Sequence, residues 1–294
     1  MRKKCPVLLL LACILIFGKA SAFEKNVSWI FVRNDNAKVY SQGHHKYSCG
    51  YVALLNNLSF GNQESQAAVS SIEGITDDDK MSALEKLFND KTSIEYSKGG
   101  RMRDVGISSA DLLQICNEFR LDHNLQPLKG ICLDRLKNES KIEMGTRIHR
   151  LLLTSIEKGE SPIIMVRSES AHFKPMWYQS AASVFGVTSA FEKASKWDGL
   201  QGHYLTVIGI PAKVNDDGSF CLDYIDPAKG KKRQLFVYPE VRNFVAPKGV
   251  DKNLKWIGSF PYLAVAASTL NLNTKEEKWN ERTIVFLYNA IYSE

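Results

Sequence analysis

Apolar and polar positions divide this chain into two textures. From Cys49, the run Gly50-Tyr51-Val52-Ala53-Leu54-Leu55-Asn56-Asn57-Leu58 sets apolar residues at helical spacing and stops near Gly61, which predicts a helix. A weaker helix is expected over residues 65–72. Asp77-Asp78-Asp79-Lys80 reads as a solvated helix start leading into residues 81–88. Gly106-Ile107-Ser108-Ser109 precedes Leu112, Leu113, Ile115, Cys116 and Phe119, with a serine available as N-cap. A longer helix is predicted over residues 140–158, ending at Gly159.

The second texture begins at Pro162-Ile163-Ile164-Met165-Val166, a short apolar run bounded by turn residues, as expected of a buried strand. Further strands are expected over residues 204–210, 219–225, 233–237, 256–266 and 283–288, and Asp216-Asp217-Gly218 gives a hairpin turn signal between two of them. Helices followed by an antiparallel sheet predict an α+β protein. Residues 168–202 lack clear alternation and are expected to be an inserted loop or helix.

The first residues form a separate unit. Arg2-Lys3-Lys4, the apolar run 7–17 and the small residues Ala20-Ser21-Ala22 have the order of a secretory signal peptide over residues 1–22, leaving one domain over 23–294. A lipoprotein signal at Cys13 is the weaker alternative, because cutting there shortens the apolar core too far. The expected location is therefore the periplasm or the outside, without stable membrane insertion once the leader is removed. The formal charge is +6, but Arg2, Lys3, Lys4 and Lys19 supply four of those charges, and the remainder is only +2. Such a balance gives no basis for nucleic acid as a partner.

Export bears on the six cysteines, of which Cys49, Cys116, Cys132 and Cys221 follow the leader. Oxidising conditions permit disulfides, with Cys116–Cys132 as a candidate against reduced core positions. No C-x-x-C occurs after the leader, which argues against a zinc site of that type. His44 and His45 are adjacent, so they are expected to point in different directions, and no carboxylate neighbours them at ligand spacing. No metal or organic cofactor is expected.

Cys49 opens a helix, where unpaired N–H groups and the positive helix end favour a thiolate. His203 heads the apolar strand Tyr204-Leu205-Thr206-Val207-Ile208-Gly209-Ile210. Asp226 ends the following strand, so a hairpin between them would set its carboxylate beside one ring nitrogen. Gln42, upstream of Cys49, offers a side-chain amide that could join the Cys49 N–H in an oxyanion hole. His172 is the rival base, and Asp223 the rival acid. Taken singly, a buried thiol, a structural histidine and a turn aspartate are the plainer readings. Asn26-Val27-Ser28, Asn57-Leu58-Ser59 and Asn138-Glu139-Ser140 fit the glycosylation pattern, which matters only in a eukaryotic host.

In combination, these segments resemble the papain-like cysteine peptidases, and within them the bacteriocin-processing peptidase family and its secreted relatives. The resemblance is carried in order by Gln42, Cys49-Gly50-Tyr51-Val52-Ala53-Leu54, Gly106-Ile107-Ser108-Ser109-Ala110-Asp111-Leu112, Gly159-Glu160-Ser161-Pro162-Ile163-Ile164, Gly202-His203-Tyr204 and Asp226-Pro227-Ala228-Lys229-Gly230. The gap from Gln42 to Cys49 is one residue longer than is usual there, and residues 168–202 stand as an insertion. The resemblance implies a papain-like fold with a helical half carrying Cys49 and a sheet half carrying the other two residues. It also implies Cys49 as nucleophile, His203 as base, Asp226 as orienting acid and Gln42 as oxyanion donor, acting on a peptide or protein substrate. An acyltransferase of the phytochelatin-synthase or transglutaminase kind, or a binding module without turnover, would use the same framework.

Overall fold

The computed structural model describes residues 28–32, 37–96, 99–103, 106–133, 135–173, 194–240, 262–265 and 281–294. The expected leader, with Cys13 in it, lies outside them. No described helix is long and apolar enough to cross a membrane.

After a short strand β1 (Trp29–Phe31), the first half is built of helices α1 (Cys49–Ser59), α2 (Gln63–Ser71), α3 (Asp77–Phe88) and α4 (Ser109–Asp122), with a small ribbon of β2 (Met102–Arg103) and β3 (Gly106–Ile107) before α4. Local chemistry sets their starts. Thr76 with Asp79 closes a reciprocal cap on α3, and the Ser108 hydroxyl accepts from the Asp111 N–H at the head of α4. Every residue of α1 from Gly50 to Ser59 is buried, so this helix is the centre of its layer rather than an amphipathic face. Leu54, Leu55 and Leu58 of α1 pack with Val69 of α2, Met81 and Leu84 of α3 and Leu112, Ile115 and Phe119 of α4.

The second half contains α5 (Lys141–Glu157), again opened by a reciprocal cap between Ser140 and Glu143, and the strands β4 (Lys129–Cys132), β5 (Ile163–Phe173), β6 (Ala194–Pro211), β7 (Phe220–Asp226), β8 (Lys231–Glu240), β9 (Tyr262–Val265) and β10 (Glu281–Tyr292). The ladder runs β6–β5–β10–β9–β8–β7, and β7 pairs back onto β6, closing an antiparallel barrel. Strand β1 extends the edge of β6 beyond β5, and β4 pairs with β10. Closure removes the exposed edges that an open sheet would leave. The barrel is filled by Val166, Leu205, Leu222, Leu235, Leu263 and Val285 among others, with Met144, Ile148, Leu152 and Ile156 of α5 packed against them.

The two cores meet across β5 and β6. Period-two alternation sends Ile164 and Val166 into the barrel core and Ile163 into the helical core. Thr206 of β6 donates its hydroxyl hydrogen bond to the Ala53 carbonyl of α1 at 3.1 Å, so the start of α1 is fixed against the middle of β6. The α+β class therefore stands. Residues 168–202 depart from the expected loop or helix: β5 continues to Phe173 and β6 begins at Ala194, with pairing from Val166↔His203 out to Phe173↔Ala194. Backbone hydrogen bonds across this extension replace the side-chain alternation that the sequence lacks, which is why periodicity did not reveal it. Residues 174–193 lie outside the described residues.

Candidate active site

Cys49 is the first residue of α1. Its N-cap Ser48 gives the helix no side-chain cap, because the Ser48 hydroxyl bonds Glu85 Oε1 at 3.0 Å instead. The leading N–H groups of α1 thus stay available to an anion. Tyr47 holds a left-handed backbone at φ 63°, a conformation a tyrosine adopts only when its surroundings impose it, and it turns the chain sharply into the helix. Burial pushes the Cys49 thiol upward, but the His203 ring beside it and the N–H groups of Tyr204 and Gly50 outweigh that and bring it below the ordinary thiol range.

His203 lies in β6 beside the start of α1 and is buried. Its Nε2 is 2.9 Å from Asp226 Oδ1, leaving Nδ1 as the ring nitrogen for the Cys49 side. Burial alone would lower the imidazole pKa. The Asp226 carboxylate and the Cys49 sulfur reverse this and raise it to about 9. Asp226 is fully buried at the end of β7, and burial pushes its carboxyl upward. The His203 ring, the Ala228 N–H at 3.0 Å and the nearby Arg233 guanidinium nonetheless hold it below the usual carboxylate range. Opposite shifts on thiol and imidazole favour a thiolate–imidazolium pair over the neutral pair, and the two titrate as a unit. Asp223, the rival acid, accepts instead from Gln234 Nε2 at 2.9 Å.

Gln42 is tied to the end of β7 and to its own turn. Its N–H donates to the Pro227 carbonyl at 2.7 Å, one residue beyond Asp226, and its Nε2 donates to the His45 carbonyl at 2.5 Å. One amide hydrogen is thereby committed and the second remains. Sequence reasoning missed the anchor behind it. Buried Asn56 of α1 accepts from the Tyr40 N–H at 2.8 Å and donates to the Tyr40 carbonyl at 3.1 Å, pinning the segment before Gln42 to the helix that carries Cys49. A polar residue inside the otherwise apolar pattern of α1 was the available signal.

The other candidates separate from this group. The rival base His172 pairs by backbone with Lys196, six residues beyond Val166, the partner of His203. That is about 20 Å along the strand. No disulfide joins Cys116, buried on α4, to Cys132, exposed on β4, so the candidate pairing is not formed. The expectation that His44 and His45 diverge is also wrong. Their rings stack at 5.3 Å with 15° between planes, and the Asp78 carboxylate faces both. The carboxylate comes from α3, so spacing within the loop could not show it.

Differential alkylation tests the thiol assignment. Iodoacetamide is expected to modify Cys49 first, with a rate that persists to lower pH than that of an ordinary thiol. Burial drives Cys116 up to about 12 and Cys221 up to about 11, so both should lag in the folded protein. Peptide mapping that finds Cys132 or Cys221 labelled before Cys49 would remove the basis for a reactive Cys49.

Compared with models of known protein families, the sequence matches none, and no curated protein matches it.

Proposed function

We propose that this protein is an exported thiol hydrolase of papain-like type that cleaves peptide-type amide bonds through Cys49, His203, Asp226 and Gln42. The observation that carries the reading is the placement of one buried imidazole between the Cys49 thiol and the Asp226 carboxylate, with the thiol shifted down and the imidazole up. The motif order that resembles the papain-like peptidases supports it independently.

The reaction follows from these groups. The Cys49 proton passes to His203, and the sulfur attacks the carbonyl carbon of the substrate amide. The oxyanion that forms is met by the remaining Nε2 hydrogen of Gln42 and the N–H of Cys49, which has no acceptor within the helix. His203 gives its proton to the departing amine, leaving an acyl thioester on Cys49. Water then attacks the thioester as His203 takes its proton, and the acid is released with the thiol restored. Asp226 holds the ring in orientation and stabilises the imidazolium throughout.

A peptide-like electrophilic probe should label Cys49 covalently in the wild type and leave His203→Ala unlabelled. Labelling that survives His203→Ala at the wild-type rate would argue against an activated thiol. Gln42→Ala should keep the fold and the alkylation rate of Cys49 while lowering kcat about 10²–10³-fold, the scale for one oxyanion donor. An unchanged kcat would show that Gln42 serves only to fasten the loop. The alkaline limb of the activity profile should fall near pH 9, where His203 loses its proton.

A further inference from the structure

We infer that His44, His45 and Asp78 form a divalent transition-metal site, suited to zinc, on the turn between Gln42 and Cys49. The nearest nitrogen and oxygen atoms of the three side chains all lie within 4.8 Å of one another. His44 Nε2 is 3.5 Å from Asp78 Oδ2, and His45 Nε2 is 3.6 Å from Asp78 Oδ1. Both are too long for a charge-assisted hydrogen bond. They match the separation of about 3.3 Å between two ligands that each lie about 2.0–2.1 Å from a tetrahedral zinc.

Several further observations point the same way. His45 Nδ1, the nitrogen turned from the cluster, lies 3.2 Å from Glu85 Oε1. A carboxylate on the outer nitrogen is the usual support of a metal-bound histidine: it sets the tautomer and raises the basicity of Nε2. Asp78 is also the member of its acidic run left to face the rings. Asp77 pairs with Lys38 at 2.6 Å, and Asp79 is consumed in capping α3. Gly43 takes a left-handed backbone at φ 55°, and a Cβ there would stand 3.0 Å from Asp78 Oδ1. The turn therefore needs glycine to bring the stacked rings over the carboxylate.

The donor set selects the metal class. Two imidazoles and one carboxylate suit zinc or copper(II), whereas calcium and magnesium ask for oxygen ligands. Three protein ligands leave a fourth position for water, and the cluster is open to solvent, with the His44 side chain 81% exposed and that of Asp78 46% exposed. The site also shares a turn with the proposed oxyanion donor, since His45 donates its N–H to the Gln42 carbonyl and accepts from the Gln42 amide.

The experiment is a zinc titration of the full chain carrying Cys49→Ala, which removes the thiol next to the turn. One equivalent of zinc is expected to bind. In that background His44→Ala and Asp78→Asn should each weaken the affinity about tenfold or more, and Glu85→Gln, which touches no metal, about 10–100-fold. His44 is exposed enough for its replacement to leave the packing intact, and circular dichroism checks each variant. Failure of Cys49→Ala to bind zinc, or binding that His44→Ala and Asp78→Asn leave unchanged, overturns the site. Cobalt(II) added to the wild type should give a spectrum without thiolate charge transfer; a thiolate band would place the metal at a cysteine instead. None of these measurements requires turnover, so their outcome and that of the hydrolase reading are separable.

Discussion

Cys49→Ala is expected to abolish turnover of an amide substrate, and His203→Ala to lower it about 10⁵–10⁶-fold, with little further loss in the double variant. The reason is that the two act as one proton-exchanging unit. Without the sulfur nothing attacks the carbonyl, and without the imidazole the thiol returns toward its ordinary protonation and the leaving amine finds no acid. Asp226→Asn should be milder. The side-chain oxygen can still accept from His203 and from the Ala228 N–H, as Oδ1 does at 2.9 and 3.0 Å, while the negative charge is lost. The charge is part of what raises His203 to about 9, so the alkaline limb of the Asp226→Asn profile should move to lower pH. A purified, folded Cys49→Ala protein with wild-type kcat would end the hydrolase reading. An alkaline limb that does not move in Asp226→Asn would mean that the Asp226 charge does not raise the His203 imidazole.

Glu160→Ala should be the most damaging substitution for stability, at about 3–5 kcal/mol by urea denaturation. Arg120 of α4 and Glu160, just before β5, form a buried ion pair, with Nη2 to Oε1 at 3.1 Å and Nη1 to Oε2 at 3.3 Å. Their side chains are only 2% and 7% exposed, so removing the carboxylate leaves a guanidinium without compensation. The Arg120 Nε donates to the Gln126 carbonyl, which anchors the guanidinium in place. Because the pair joins the helical layer to the strand beside His203, its loss should also slow Cys49 alkylation. Replacing both partners with methionine should recover most of the stability, because the desolvation cost disappears along with the attraction. If the double variant is no more stable than Glu160→Ala, the damage comes from packing rather than from the stranded charge.

Much of the local structure was legible in the residues. Capping and period-3.6 spacing operate within a few positions, so the helices at Asp77–Phe88, Ser109–Asp122 and Lys141–Glu157 begin close to where Ser, Thr and acidic residues announce them, and the helix at Cys49–Ser59 follows its apolar spacing. Apolar runs likewise marked the strands at Ile163, Tyr204 and Phe220, because a strand buried on both faces needs little alternation. The order of Gln42, Cys49, His203 and Asp226 was readable too, together with the hairpin turn at Asp216-Asp217-Gly218 that returns the chain from β6 to β7.

Direction and partnership came only with the tertiary structure. Choosing Asp226 over Asp223 depends on which carboxylate the register of β6 and β7 presents to the His203 ring, and a shift of one residue would reverse the faces. The outer halves of β5 and β6 hold together through backbone bonds, which leave no mark in side-chain pattern, and β1 and β4 are strands only because β6 and β10 offer them an edge. His44 and His45 converge because Gly43 bends the turn and a carboxylate from another helix stands opposite. Sequence by itself determined what each short stretch of backbone prefers, since those energies arise between near neighbours. Only the fold decided which distant groups share a few ångströms, and hydrogen bonding, desolvation and charge at that range gave Cys49, His203 and Asp226 their altered protonation.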